Sequence, residues 1–125
     1  MNITPADWME QAEADLKAAN DNITTKNYFV TANLSQQAAE KALKALYLKK
    51  EKRTPPKIHD VVDLARTLGA PENIIKTLSF LTPAYLQSKY PGAAPEIPVR
   101  YFSLEKSKRL LTLAQEVVQW TKSRL

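Results

Sequence analysis

From Thr25 to Lys50 the chain runs without a proline or a glycine, and its apolar residues recur at helical spacing. The same period returns elsewhere, the whole chain holds only two glycines, and no convincing strand can be read from it. These patterns predict an all-α fold, an antiparallel bundle of about five helices in one domain over residues 1–125. The inward line of the long helix is Tyr28, Ala32, Ser35, Ala39, Leu43 and Leu46, with Ala38 and Ala42 small enough to let a neighbour approach closely. Its outward face is expected to carry Glu40, Lys41 and Lys44.

The flanking segments carry their own start and stop signals. Thr4 before Pro5 predicts a capped first helix, since proline suits the position whose N–H has no helical partner. Asp7 then faces the positive end of the helix dipole. Trp8, Ala12, Leu16 and Ala19 form its apolar stripe, and Asp21-Asn22 is expected to end it. Thr54-Pro55-Pro56 halts the long helix. A short helix follows over about 59–68, burying Val61, Leu64, Ala65 and Leu68 and stopped by Gly69. Pro71 opens a fourth, burying Ile74, Ile75, Leu78, Leu81 and Tyr85, with a kink or restart at Thr82-Pro83. Residues 90–101 hold three prolines and a glycine and read as a loop, long enough to suggest a role of its own. The last helix, about 103–124, shows Leu104, Leu110, Leu111, Leu113, Ala114, Val117, Val118 and Trp120, a face wider than one core stripe. That excess, with Leu86 and Tyr85, predicts a homodimer.

Charge is unevenly distributed. Residues 1–40 carry two lysines against six carboxylates, a net of −4, while the remainder holds sixteen basic groups against seven acidic ones, a net of +9. The densest basic run is Lys49-Lys50-Glu51-Lys52-Arg53 with Lys57 beyond it. It suits a phosphate, nucleic acid or acidic protein surface, and equally a solvated helix end complementing the dipole. No apolar run is long enough to span a bilayer, and the opening residues lack a signal-peptide profile, so the cytoplasm is the expected compartment.

Composition removes several chemistries. With no cysteine and one histidine, thiolate catalysis and metal ligation are not expected, and no cofactor is implied. Phosphate-cradling glycine loops and a serine nucleophile elbow are absent. A DNA-reading helix would have to present His59, Asp60 and Asp63, a poor set for base recognition. His59 is the one side chain suited to proton transfer near neutrality, or else a helix-entry residue bonded to the backbone. Arg53 stands six positions before it. A guanidinium to stabilise phosphorane charge and an imidazole to move a proton make a metal-independent ribonuclease conceivable, with a dimer bringing two such pairs together. Tyr85, Tyr90, Tyr101 and Phe102 either stack a base or anchor the loop they flank.

The run Ser35-Gln36-Gln37-Ala38-Ala39-Glu40-Lys41-Ala42-Leu43-Lys44-Ala45-Leu46 resembles the signature of the HEPN family. Trp8 with Ala14-Asp15-Leu16, Tyr28 with Ala32, His59-Asp60 with Leu64, Tyr85 with Lys89-Tyr90-Pro91, and Ala114 to Trp120 extend the likeness across nearly the whole chain. The resemblance implies an antiparallel helical bundle, usually dimeric, that binds nucleotide and is often made beside a minimal nucleotidyltransferase in toxin–antitoxin-like pairs. It also implies, for ribonuclease branches, an Arg-x(4–6)-His motif that Arg53 and His59 satisfy from a linker rather than from a helix. Lys89 stands where the family has arginine, keeping the charge but losing the bidentate fork. A nucleotide is expected between Gln37, Lys41 and Lys44 on one wall and His59, Tyr85, Lys89 and Tyr90 on the other, with RNA as the alternative substrate. A third reading is a non-catalytic protein-interaction module.

Overall fold

The computed structural model describes residues 2–57 and 59–125, and every regular element among them is helical. The order is α1 (Pro5–Thr24), α2 (Tyr28–Glu51), α3 (Val61–Thr67), α4 (Glu72–Leu81), α5 (Ala84–Gln87), α6 (Pro98–Tyr101) and α7 (Leu104–Lys122). The five expected helices are α1, α2, α3, α4 and α7; α5 and α6 are single turns added between them.

The start of α1 follows the sequence reading. The Thr4 hydroxyl accepts from the Asp7 amide at 3.1 Å while the Asp7 carboxylate accepts from the Thr4 amide at 2.9 Å, a reciprocal capping box. The expected stop at Asp21-Asn22 is corrected: α1 runs on to Thr24. The Asn22 side chain donates to the Ala18 carbonyl at 2.8 Å, four residues back, and so stays within the helix. The reversal is made instead by Lys26 in the left-handed region, φ 61°. With so short a connection α2 returns antiparallel along α1.

α2 is the centre of the molecule, touched by every other helix. On the α1 side Ala12, Ala38, Ala42 and Ala45 meet with Met9 and Val118, all buried, and the alanines allow the helices to close up. On the other side Leu43 and Leu46 join Val61, Leu64, Ile74, Leu78, Leu81 and Val117 in the main core. Each of these large side chains contributes about 1.5–3 kcal/mol by leaving water. This central position overturns the expected outward face: Glu40 and Lys44 are 4% and 6% exposed, and only Lys41 of the three keeps a half-open position.

The remaining boundaries follow from local chemistry. α2 ends at Glu51 with Lys52 in a left-handed cap at φ 55°, and the Lys50 ammonium donates to the Leu68 carbonyl at 3.1 Å. α3 begins at Val61, not at His59, because Asp60 caps it by accepting from the Val62 amide at 3.0 Å. Pro71 is the cap of α4 rather than its first residue, and the helix restarts past Thr82-Pro83 as α5, as the proline required. The 90–101 segment is not all loop: Pro98, at the first helical position, opens α6. Ser103 caps α7 by accepting from the Lys106 amide at 3.1 Å. The wide apolar face of α7 is largely consumed within the chain, since Leu111, Leu113, Ala114, Val117 and Val118 are buried against α1, α2 and α4. None of the helices is long and apolar enough to cross a membrane.

Candidate functional site

Gln36, Glu40 and Lys44 follow one another at intervals of four on α2, so they share one face of the helix. All three are buried, and a buried charge persists only where partners replace its water. Here they do. Glu40 accepts from the Lys44 ammonium at 3.1 Å and from the Gln36 amide at 3.2 Å. Its two oxygens also lie 3.1 and 3.3 Å from Nδ1 of His59. The Gln36 amide reaches the His59 carbonyl at 3.4 Å, and Gln37 donates to Gln36 Oε1 at 2.9 Å.

The carboxylate therefore fixes the imidazole. Glu40 is an acceptor in all these contacts, so Nδ1 carries the hydrogen directed at it and Nε2 is the ring nitrogen left over. The His59 side chain is 46% exposed whereas that of Glu40 is 5% exposed, which makes His59 the surface end of an interior polar chain. The ring is held from another direction by Tyr85, stacked at 4.0 Å between centroids and 14° between planes. Lys89, one turn further on, places its ammonium 4.2 Å from the centre of the same tyrosine ring. α5 is tied to α2 by Asn33, which donates to the Ser88 hydroxyl at 3.1 Å, while that hydroxyl donates to the Ala84 carbonyl at 2.5 Å. An open cavity of about 340 Å³ lies against this stack, lined by His59, Asp60, Thr82, Pro83, Tyr85 and Leu86.

The residues expected to form one nucleotide site fall into separate places. His59, Tyr85 and Lys89 come together. Lys44 lies beneath them on Glu40, with its ammonium also 6.0 Å from the Trp8 ring, and Gln37 braces Gln36. Lys41 turns towards α1, pairs with Asp15 at 2.5 Å and lines a separate groove with Trp8 and Asp7. Tyr90 is 56% exposed just past α5. Arg53 donates from Nε to the Tyr47 hydroxyl at 3.0 Å and lies over that ring. Tyr47 is two turns along α2 from Glu40, about 10 Å of helix axis, so Arg53 and His59 are engaged with different parts of the helix. Among the described residues no three carboxylate or imidazole groups converge to hold a metal.

Glu40 and Gln36 are the members that sequence reasoning missed. Their spacing puts them with Lys44 on one face of α2, but Asn33, Gln37 and Lys41 stand at the same interval on the adjacent face, so the sequence does not say which of the two is buried.

A family model described as the HEPN domain matches residues 5–124. No curated protein matches significantly. Among solved structures, TT1696 from Thermus thermophilus is 29% identical with a TM-score of 0.88, covering 97% of this chain and 98% of its own. ST0689, described as an archaeal HEPN homologue, is 28% identical with a TM-score of 0.83, covering 98% of each chain. The HEPN domain protein tm0613 from Thermotoga maritima, at 23% identity and a TM-score of 0.72 over 93% of this chain and 94% of its own, shares the fold. With the family match running from the first turn of α1 to the end of α7, this chain belongs to the HEPN domain family.

Proposed function

We propose that this HEPN domain binds a nucleotide on the His59–Tyr85–Lys89 surface and acts as a non-catalytic accessory module, as a homodimer alongside a minimal nucleotidyltransferase. The observation that carries the reading is the pinned imidazole: Glu40 holds Nδ1, Tyr85 stacks on the ring, and Lys89 sits against the same tyrosine. A stacked imidazole–phenol pair beside a cation suits a nucleotide whose phosphate meets Lys89, and Nε2 of the half-exposed His59 offers a further polar contact. The adjoining cavity is within the size range of small-molecule sites.

The ribonuclease reading has less support, because its second group, Arg53, is held on Tyr47. The test of the leading reading is calorimetric titration with ATP and the other nucleoside triphosphates. Saturable binding is expected, with His59→Ala and Lys89→Ala each weakening it about tenfold or more through loss of a charged or polar contact. Binding that neither substitution weakens would remove the nucleotide from this surface. Chelator-resistant RNA cleavage lost in His59→Ala would instead favour the ribonuclease.

A further inference from the structure

On another face of the molecule, α4 and α5 meet the α6–α7 corner around a cavity of about 220 Å³. Its walls are Phe80, Phe102, Leu110 and Leu113, and its rim carries Tyr101, Lys106 and Arg109. Phe80 is 52% exposed although it stands on a helix whose other large apolar residues are buried. About half of the Phe80 surface is thus left open at the cavity, beside the walls formed by Phe102, Leu110 and Leu113. The cations are the second observation. Lys106 sits 3.8 Å from the centre of the Tyr101 ring, and neither it nor Arg109 forms an ion pair among the described residues. An apolar hole is thus bordered by two positive charges that nothing among those residues neutralises.

We infer that this corner is a docking site for an acidic segment of a partner protein, anchored by one large apolar side chain. The volume suits a single side chain and falls below the roughly 300 Å³ at which drug-sized pockets begin. Charge complementarity sets the rest: carboxylates flanking the anchor would meet Lys106 and Arg109, and the chain's net charge of +5 would steer such a segment in. The surface shares no residue with the His59 cavity and does not depend on nucleotide binding there.

The probe is a fluorescein-labelled twelve-residue peptide, designed with one tryptophan between two Asp-Glu pairs, followed by fluorescence anisotropy on the full chain. Saturable binding is expected, weakening with added salt and falling about tenfold with Lys106→Glu or Arg109→Glu. Lys106 is the third residue of α7, where glutamate favours the helix start, so Lys106→Glu leaves the fold intact by circular dichroism. Phe80→Ser should weaken binding as well, and a peptide with alanine for tryptophan, or with Asn-Gln for Asp-Glu, should bind poorly. No saturable binding, or binding indifferent to these changes, overturns the assignment. A dimer in sedimentation that Phe80→Asp dissolves would give the corner to a second copy of this chain and also overturn it.

Discussion

Single residues show two opposite ways of placing a charge. Glu40 and Lys44 are buried together, and each is tolerated because the other is present. Glu40→Ala leaves an ammonium without its counter-charge in the interior, and should lower stability by about 3 kcal/mol or more in urea unfolding. Replacing both partners, Glu40→Leu with Lys44→Met, should recover only the part due to the unpaired ammonium, since the Gln36 amide and His59 Nδ1 still lose their acceptor. A Glu40→Ala loss below about 1 kcal/mol would show that the pair is not sealed as described. Asp7 is the exposed counterpart. The Thr4 amide, and after it the Thr4 hydroxyl, hold its carboxyl below the ordinary aspartate value, while partial desolvation opposes them. A depressed folded value means that the capping box contributes above the unfolded value and loses its contribution as pH falls through the folded one. Thermal melts of wild type and Asp7→Asn should therefore differ at pH 7 and converge as the pH falls below the ordinary aspartate value and through the depressed folded one; a gap unchanged in acid would contradict the box.

At the scale of elements, α2 is defined by what surrounds it. The alanines that fit it between α1 and α7 leave no spare volume: Ala38 and Ala42 are wholly buried beside Ala12 and Val118. Ala42→Leu should accordingly cost about 1–3 kcal/mol by overpacking, measured as a lower unfolding midpoint. A neutral substitution would mean that α1 can move away freely. Short elements are harder to read than long ones. α5 and α6 are single turns whose existence depends on docking, through Asn33 and Ser88 for the first and on the Pro98 start for the second. A turn of that length has little helical preference of its own in water, so sequence periodicity carries no trace of it.

For the molecule as a whole, the two proposed surfaces draw on different residues of the α4–α5 segment, Thr82, Pro83, Tyr85 and Leu86 for the first and Phe80 and Gln87 for the second. The His59 stack uses the start of α5, and the docking corner uses the end of α4 with α6 and α7. The interior polar chain from Gln37 through Gln36 and Glu40 to His59 gives the first surface a rigid foundation. The breadth of α7 has an intramolecular explanation, because one helix packs on three others and so needs more than one stripe.

Helical content, the five longer helices, the Thr4 cap and the break at Thr82-Pro83 are local matters, governed by spacing, missing donors and side chains within four residues. The sequence determined them by itself, together with the family signature centred on residues 35–46. Tertiary structure alone decided that Glu40 and Lys44 face inward, that Lys41 belongs with Asp15, and that Arg53 rests on Tyr47 while His59 rests on Tyr85. The physical reason is burial. A polar residue on a helix has no inside or outside until neighbouring helices arrive, and in α2 they arrive on almost every side.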